Sequence, residues 1–103
     1  MKVLAVFVCF FILLPICAHT EFIICDAAEN QYGPSIAFDG TNYLIVWTDG
    51  RDSLDVIYGA RVSQSGTVLE PDGFALLAEN DEQINPVVAF DGENYLVAWQ
   101  FGC

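Results

Sequence analysis

Basic residues are nearly missing from this sequence. It holds 14 acidic residues against 3 Lys and Arg, a formal net charge of -11. A chain this poor in cations has no basic patch to neutralise phosphates, which excludes nucleic acid and anionic membrane as partners. Histidine is as scarce, with His19 alone. A Ser-His-Asp triad would have to draw on it in a flexible tail, and a copper brace would need a second His, so neither is expected. Cysteine is limited to four residues. Two of these, Cys9 and Cys17, lie in an N-terminal apolar run. Cys25, Cys103 and one His do not complete a tetrahedral zinc site without carboxylates. Beyond the N-terminal run there is no helical spacing of apolar residues, which argues against a helical bundle. The length of 103 residues permits one small domain and no two-domain enzyme. No cofactor is expected.

What is present first is the apolar block VLAVFVCFFILLPICA after Lys2, ending at Ala18. One cation, an uncharged apolar run and a small residue form the layout of a secretory signal peptide over residues 1–18. The run is expected to be helical, broken near its end by Pro15. It is shorter than the roughly 20 residues that span a bilayer. Cleavage after Ala18 fits best. Cleavage after Ala27, lipid attachment at Cys17 and an uncleaved anchor are the alternatives. Export is common to them, so the expected location is secreted, periplasmic or cell-surface. Removal of the leader leaves no membrane segment, with Arg51 and Arg61 as the only cations. Export also permits a disulfide. A Cys25–Cys103 bridge would contribute roughly 4 kcal/mol in a loop-entropy account. The sequence leaves open whether the two are bridged.

An internal repeat dominates the rest. The segment PSIAFDGTNYLIVW from Pro34 to Trp47 returns as PVVAFDGENYLVAW from Pro86 to Trp99, an offset of 52. The register extends back to Phe22/Phe74 and Gln31/Gln83 and forward to Gly50/Gly102, with twelve identities in thirty ungapped pairs. This divides the chain into a complete unit, 22–73, and a truncated second unit, 74–103. Each unit reads as short strands joined by tight turns. Ser35–Phe38 is the first strand and ends in an Asp39-Gly40 turn. Tyr43–Trp47, apolar on both faces, is a strand buried between layers. Asp55–Val62 is a third strand, and Ser63–Gly66 a second hairpin turn. Thr67–Leu69 begins a fourth strand that resumes over Phe74–Ala78. The fold class is therefore all-β, built of antiparallel four-stranded meander units. Four short strands every 40 to 50 residues is the period of a propeller blade.

The strings P-x-x-A-F-D-G-x-N-Y-L-x-x-W, D-G-R-D, V-I-Y-G-A-R-V-S and Gly73-Phe74 resemble a blade-like repeat found in tandem in large secreted bacterial proteins. The resemblance covers Phe22 to the C-terminus. It implies about one and a half β-propeller-like blades after the N-terminal signal helix, used as scaffold, with no catalytic residue to carry over. Propellers close with about four to eight blades. The short copy number points to three readings: a fragment of a larger propeller protein, a ring completed by homo-oligomerisation, or a small open sheet. Glu21–Asp26 aligns with the fourth strand of a preceding blade. In such packing Cys25 and Cys103 lie farther apart than the about 7 Å a disulfide allows.

Candidate sites are few. Asp39 and Asp91 are the pair a glycosidase would need, but each stands first in an Asp-Gly turn, where it caps its own backbone. Asp49, Asp52 and Asp55 are a weak Ca²⁺ candidate, since hard oxygen ligands gather in one loop. Their spacing matches no EF-hand loop, and the second unit does not repeat it. Phe38, Tyr43, Trp47, Phe90, Tyr95 and Trp99 are expected in the core between blades, with Gly40, Asn42, Gly92 and Asn94 shaping the turns. Tyr32 and Tyr58, outside the duplicated set, are freer to face a ligand. Sialidase-type propellers use three arginines on the substrate carboxylate, and Arg51 and Arg61 cannot supply them. The expected function is a non-enzymatic exported repeat module, a scaffold or a binder of protein or carbohydrate. A fragment of a propeller-type glycoside hydrolase or lyase is the alternative.

Overall fold

The chain is seen in a computed structural model that describes residues 3–10, 17–27, 30–52, 54–77 and 82–101, with side chains from Phe22 onward. It is all-β and antiparallel, with no helix among the described residues. The strands are β1 (Val3–Phe10), β2 (Cys17–Cys25), β3 (Gln31–Phe38), β4 (Asn42–Asp49), β5 (Val56–Ser63), β6 (Phe74–Ala75), β7 (Gln83–Phe90) and β8 (Tyr95–Phe101). They form three sheets: β1-β2, β3-β4-β5-β6 and β7-β8.

The leader departs from expectation. Val3–Phe10 is a strand paired with Cys17–Cys25, where a helix was expected. Its Val and Phe content favours an extended chain, and pairing satisfies its backbone in water. Pro15, the expected helix breaker, lies outside the described residues. No helix among the described residues is long and apolar enough to cross a membrane.

The β3 strand of the complete unit carries a bulge. β3 and β4 lose register between Tyr32 and Ser35, where Gly33 has φ +64° and Pro34 removes a ladder donor. The second unit repeats this at Ile84–Val87, with Asn85 at φ +55° in the glycine's place. Asn is among the few side chains that tolerate this region. The Asp-Gly turns then reverse the chain. Asp39 N–H donates to the Asn42 carbonyl at 3.0 Å and Asp91 N–H to the Asn94 carbonyl at 3.1 Å.

β4 is the centre of the fold, buried from Leu44 to Asp49 on both faces. One face puts Ile45 and Trp47 with Val56, Tyr58, Ala60 and Val62 against Ile24 and Cys25 of β2. The other puts Leu44, Val46 and Ile57 against Val88, Tyr95, Val97 and Trp99 of the second unit. Among the described residues the fourth strand is shorter than expected: Phe74–Ala75 pairs with β5, Leu76 N–H adds a bond to the Ile57 carbonyl at 3.0 Å, and Thr67–Leu69 contributes an isolated bridge, Val68 to Val62. Between them Asp72 and Gly73 have φ +59° and +79°, which no strand sustains.

Candidate functional site: a buried Asp49–Arg51 cluster and two open sheet faces

The loop after β4 bends back on itself through Asp49. This carboxylate is fully buried and accepts from Trp47 Nε1 at 2.8 Å, Arg51 N–H at 3.0 Å, Arg51 Nε at 2.9 Å and Arg51 Nη2 at 2.8 Å. The guanidinium also donates to the Asp72 carbonyl at 2.7 Å and lies 3.1 Å from Cys25 Sγ, with its centre 3.9 Å from the Tyr58 ring centroid. Burial pushes the Asp49 carboxyl up, but the hydrogen bonds from Arg51 and Trp47 outweigh it and hold it below the usual range. The Asp49 bonds raise the Arg51 pKa in turn. Burial pushes the Cys25 thiol up. Four donors occupy one carboxylate, and its counter-ion is a fixed guanidinium. The cluster is suited to locking the loop onto β2, not to moving protons.

The three loop carboxylates do not converge. Asp49 serves Arg51 and Trp47. Asp52 Oδ2 accepts from Tyr58 O–H at 2.6 Å, and Asp55 Oδ2 from Tyr32 O–H at 2.7 Å. Among the described residues no group of three or more His, Cys, Asp or Glu is placed to hold a metal ion. The freedom expected of Tyr32 and Tyr58 is corrected by the same bonds. Tyr58 is buried under Arg51, and both hydroxyls are engaged. Burial and the neighbouring carboxylates push both phenols up to about 12.

Asp39 Oδ1 accepts from Thr41 N–H at 2.8 Å and Asn42 N–H at 2.7 Å; Asp91 Oδ1 accepts from Glu93 N–H at 2.8 Å and Asn94 N–H at 2.7 Å. These backbone bonds hold both carboxyls below their usual range. The repeated aromatics divide. Trp47 is fully buried, Tyr43 and Tyr95 partly so, and Phe90 and Trp99 half-buried. Phe38 is exposed at 41% and leans on Tyr43, with centroids 4.6 Å apart. Expectation placed it in the core; in the structure the β3 side of its sheet face is not covered among the described residues. The side chain of His19 and residues 102–103, with Cys103, lie outside the described side chains. The Cys25–Cys103 question rests there.

The largest uncommitted feature is apolar. Cross-strand partners share a face, so Val87, Ala89, Leu96 and Ala98 line one side of β7–β8. This side is open, with Val87 61% and Leu96 69% exposed. An open hollow of about 300 Å³ follows β8, lined by Val97, Ala98, Trp99 and Phe101. On the other face of the β3–β4 pair Ile36, opposite Ile45, is 55% exposed. The Asp49–Arg51 cluster escaped sequence reading. The pairing of these residues in one loop was visible, but the depth at which β2 buries it was not. Comparison of the chain with protein-family models, with curated proteins and with solved structures gives no match.

Proposed function

We propose that this chain is an exported, non-enzymatic repeat module of the propeller-blade type. Its work is to hold apolar sheet faces together, as a scaffold or as a binder of protein or carbohydrate. One observation carries the reading: a single packing arrangement occurs twice. Leu76, just after β6, shares one cluster with Tyr95, Val97 and Trp99 of the next sheet, all packed against Leu44, Val46 and Ile57. Ile24 of β2, its equivalent one repeat earlier, packs on the face holding Tyr43, Ile45 and Trp47. Units stacked by one repeated interface are the physical basis of repeat architectures, whose stability grows with each added neighbour. The carboxylates best placed for hydrolysis, Asp39 and Asp91, are used in turns. The apolar leader supports export.

The test is extension. A chain in which the sequence Asp52–Leu77 is repeated after Cys103 gives the second unit its own third and fourth strands. The expected result is a higher Tm and slower hydrogen exchange at the β8 amides. An unchanged Tm with β8 amides still exchanging freely overturns the reading.

A further inference from the structure

The contact between the two units is a template for a contact with a second molecule. In the first unit, Ser35, Ala37, Leu44 and Val46 share the face that receives the second unit. Their equivalents are Val87, Ala89, Leu96 and Ala98, the open side of β7–β8. In the second unit, Val88 lies in the covered face and is partly buried. Its equivalent is Ile36, exposed at 55%. Pro86 is buried in the seam, and its equivalent Pro34 is exposed. One molecule therefore displays both halves of an interface that it already makes once internally.

β7-β8 holds the first and second strands of its unit. Among the described residues the outer edge of β8 has no strand partner, whereas β4, its equivalent, pairs with β5 along its whole length.

We propose that copies of this chain associate head to tail. The Val87–Leu96 side of one copy seats on the Ile36 face of the next. The interface is heterologous, so it closes into a ring when the rotation per copy permits. It differs from its template at one point. Ser35 Oγ accepts from Val88 N–H at 3.1 Å, and Val87 stands in its place, so the seam between molecules gains apolar area and loses that bond. Neither Ile36 nor Leu96 lies in the leader. The proposal rests on the repeat-module reading and adds the identity of the partner.

Complementary variants of the full chain test it. Both positions are exposed, so Leu96→Asp and Ile36→Asp leave the core intact, checked by Trp fluorescence. Leu96→Ser and Ile36→Ser serve if either Asp variant misfolds. The expected results by light scattering after size exclusion are a discrete multimer for the unmodified chain, single-chain mass for each variant alone, and a 1:1 dimer on mixing them, because each retains the face the other has lost. A single-chain mass for the unmodified protein overturns the proposal. So does a multimer that survives both substitutions, or a mixture that stays monomeric, as another occupant for these faces would give. If extension by Asp52–Leu77 stabilises the chain and mixing gives no dimer, only the self-association fails. If extension does nothing, the module reading fails with it.

Discussion

Replacing Asp49 by Asn removes the charge at the centre of the loop and keeps the shape. Asp49 is fully buried and takes four hydrogen bonds, three of them from Arg51. Its loss leaves the guanidinium, with a side chain 19% exposed, facing a neutral amide that also carries two donors. Breaking one side of a buried ion pair costs about 3–5 kcal/mol. The Arg51 bond to the Asp72 carbonyl and its stacking on Tyr58 survive, so about 3 kcal/mol is the expected loss. For a small domain with an m-value of about 1–1.5 kcal/mol/M, this moves the urea midpoint down by about 2–3 M. Arg51→Met tests the other partner, and the double variant closes the cycle. Because either single change strands the other group, the double variant is expected to be more stable than the sum of the two losses implies, by about 2 kcal/mol. The pH limb gives an independent check. The folded Asp49 pKa is depressed below the unfolded value of about 3.9. Its contribution is complete above that value and is lost as pH falls through the folded pKa. Unmodified protein is expected to lose stability as pH drops below about 4, and Asp49→Asn to show a shallower acid limb. A midpoint shift near zero for Asp49→Asn, or additive losses in the cycle, would refute the reasoning.

Two further substitutions and titrations follow from the same structure. Gly73 has φ +79°, and a Cβ there would lie 2.6 Å from Trp47 Cη2 and 2.9 Å from the Gly59 carbonyl oxygen. Gly73→Ala is expected to cost about 3 kcal/mol from backbone strain and overpacking together. Gly40→Ala, at φ +97° with nothing within 4 Å, carries the strain alone, so calorimetry should place its Tm well above that of Gly73→Ala. In alkali, Tyr32, Tyr58 and Tyr95 titrate at about 12. Their folded pKa lies above the unfolded value of about 10, so their contribution is present below that value and is lost as pH rises toward about 12. Tyrosinate absorbance and loss of fold should therefore rise together in that window. Three tyrosinates formed near pH 10 with the fold intact would contradict the burial described.

The repeat made much of the fold legible. Identical residues at a fixed offset specify equivalent strands and turns, and Asp39 and Asp91 do occupy the same turn position. β4 could be read as a two-sided core strand because its apolar residues fill both alternations. The leader was read as a helix since its composition matches a membrane-targeting run; in the structure Val3–Phe10 pairs instead with the strand that follows it, Cys17–Cys25. The fourth strand was read too long because Phe74–Ala78 is apolar, while the left-handed pair Asp72-Gly73 cuts the ladder before it. The engaged state of Tyr58 was hidden for a related reason. Its cover, Arg51, belongs to a loop whose path is fixed by Asp49 and by contact with β2. The open faces were invisible in sequence, for Leu96 and Leu44 are the same residue at the same repeat position, and only packing distinguishes them.

The bulges at Pro34 and Pro86 give the molecule a direction. Each proline stands in the first strand of its sheet, β3 or β7, on a strand that has only one partner. A strand edge carrying a proline and a bulge is a poor template for another strand, since a donor is missing and the edge is bent. Accretion of further chain along that margin is therefore discouraged in both sheets. The opposite margin, at β8, carries no such block. In the β7-β8 sheet a further strand is therefore favoured at β8 over β7.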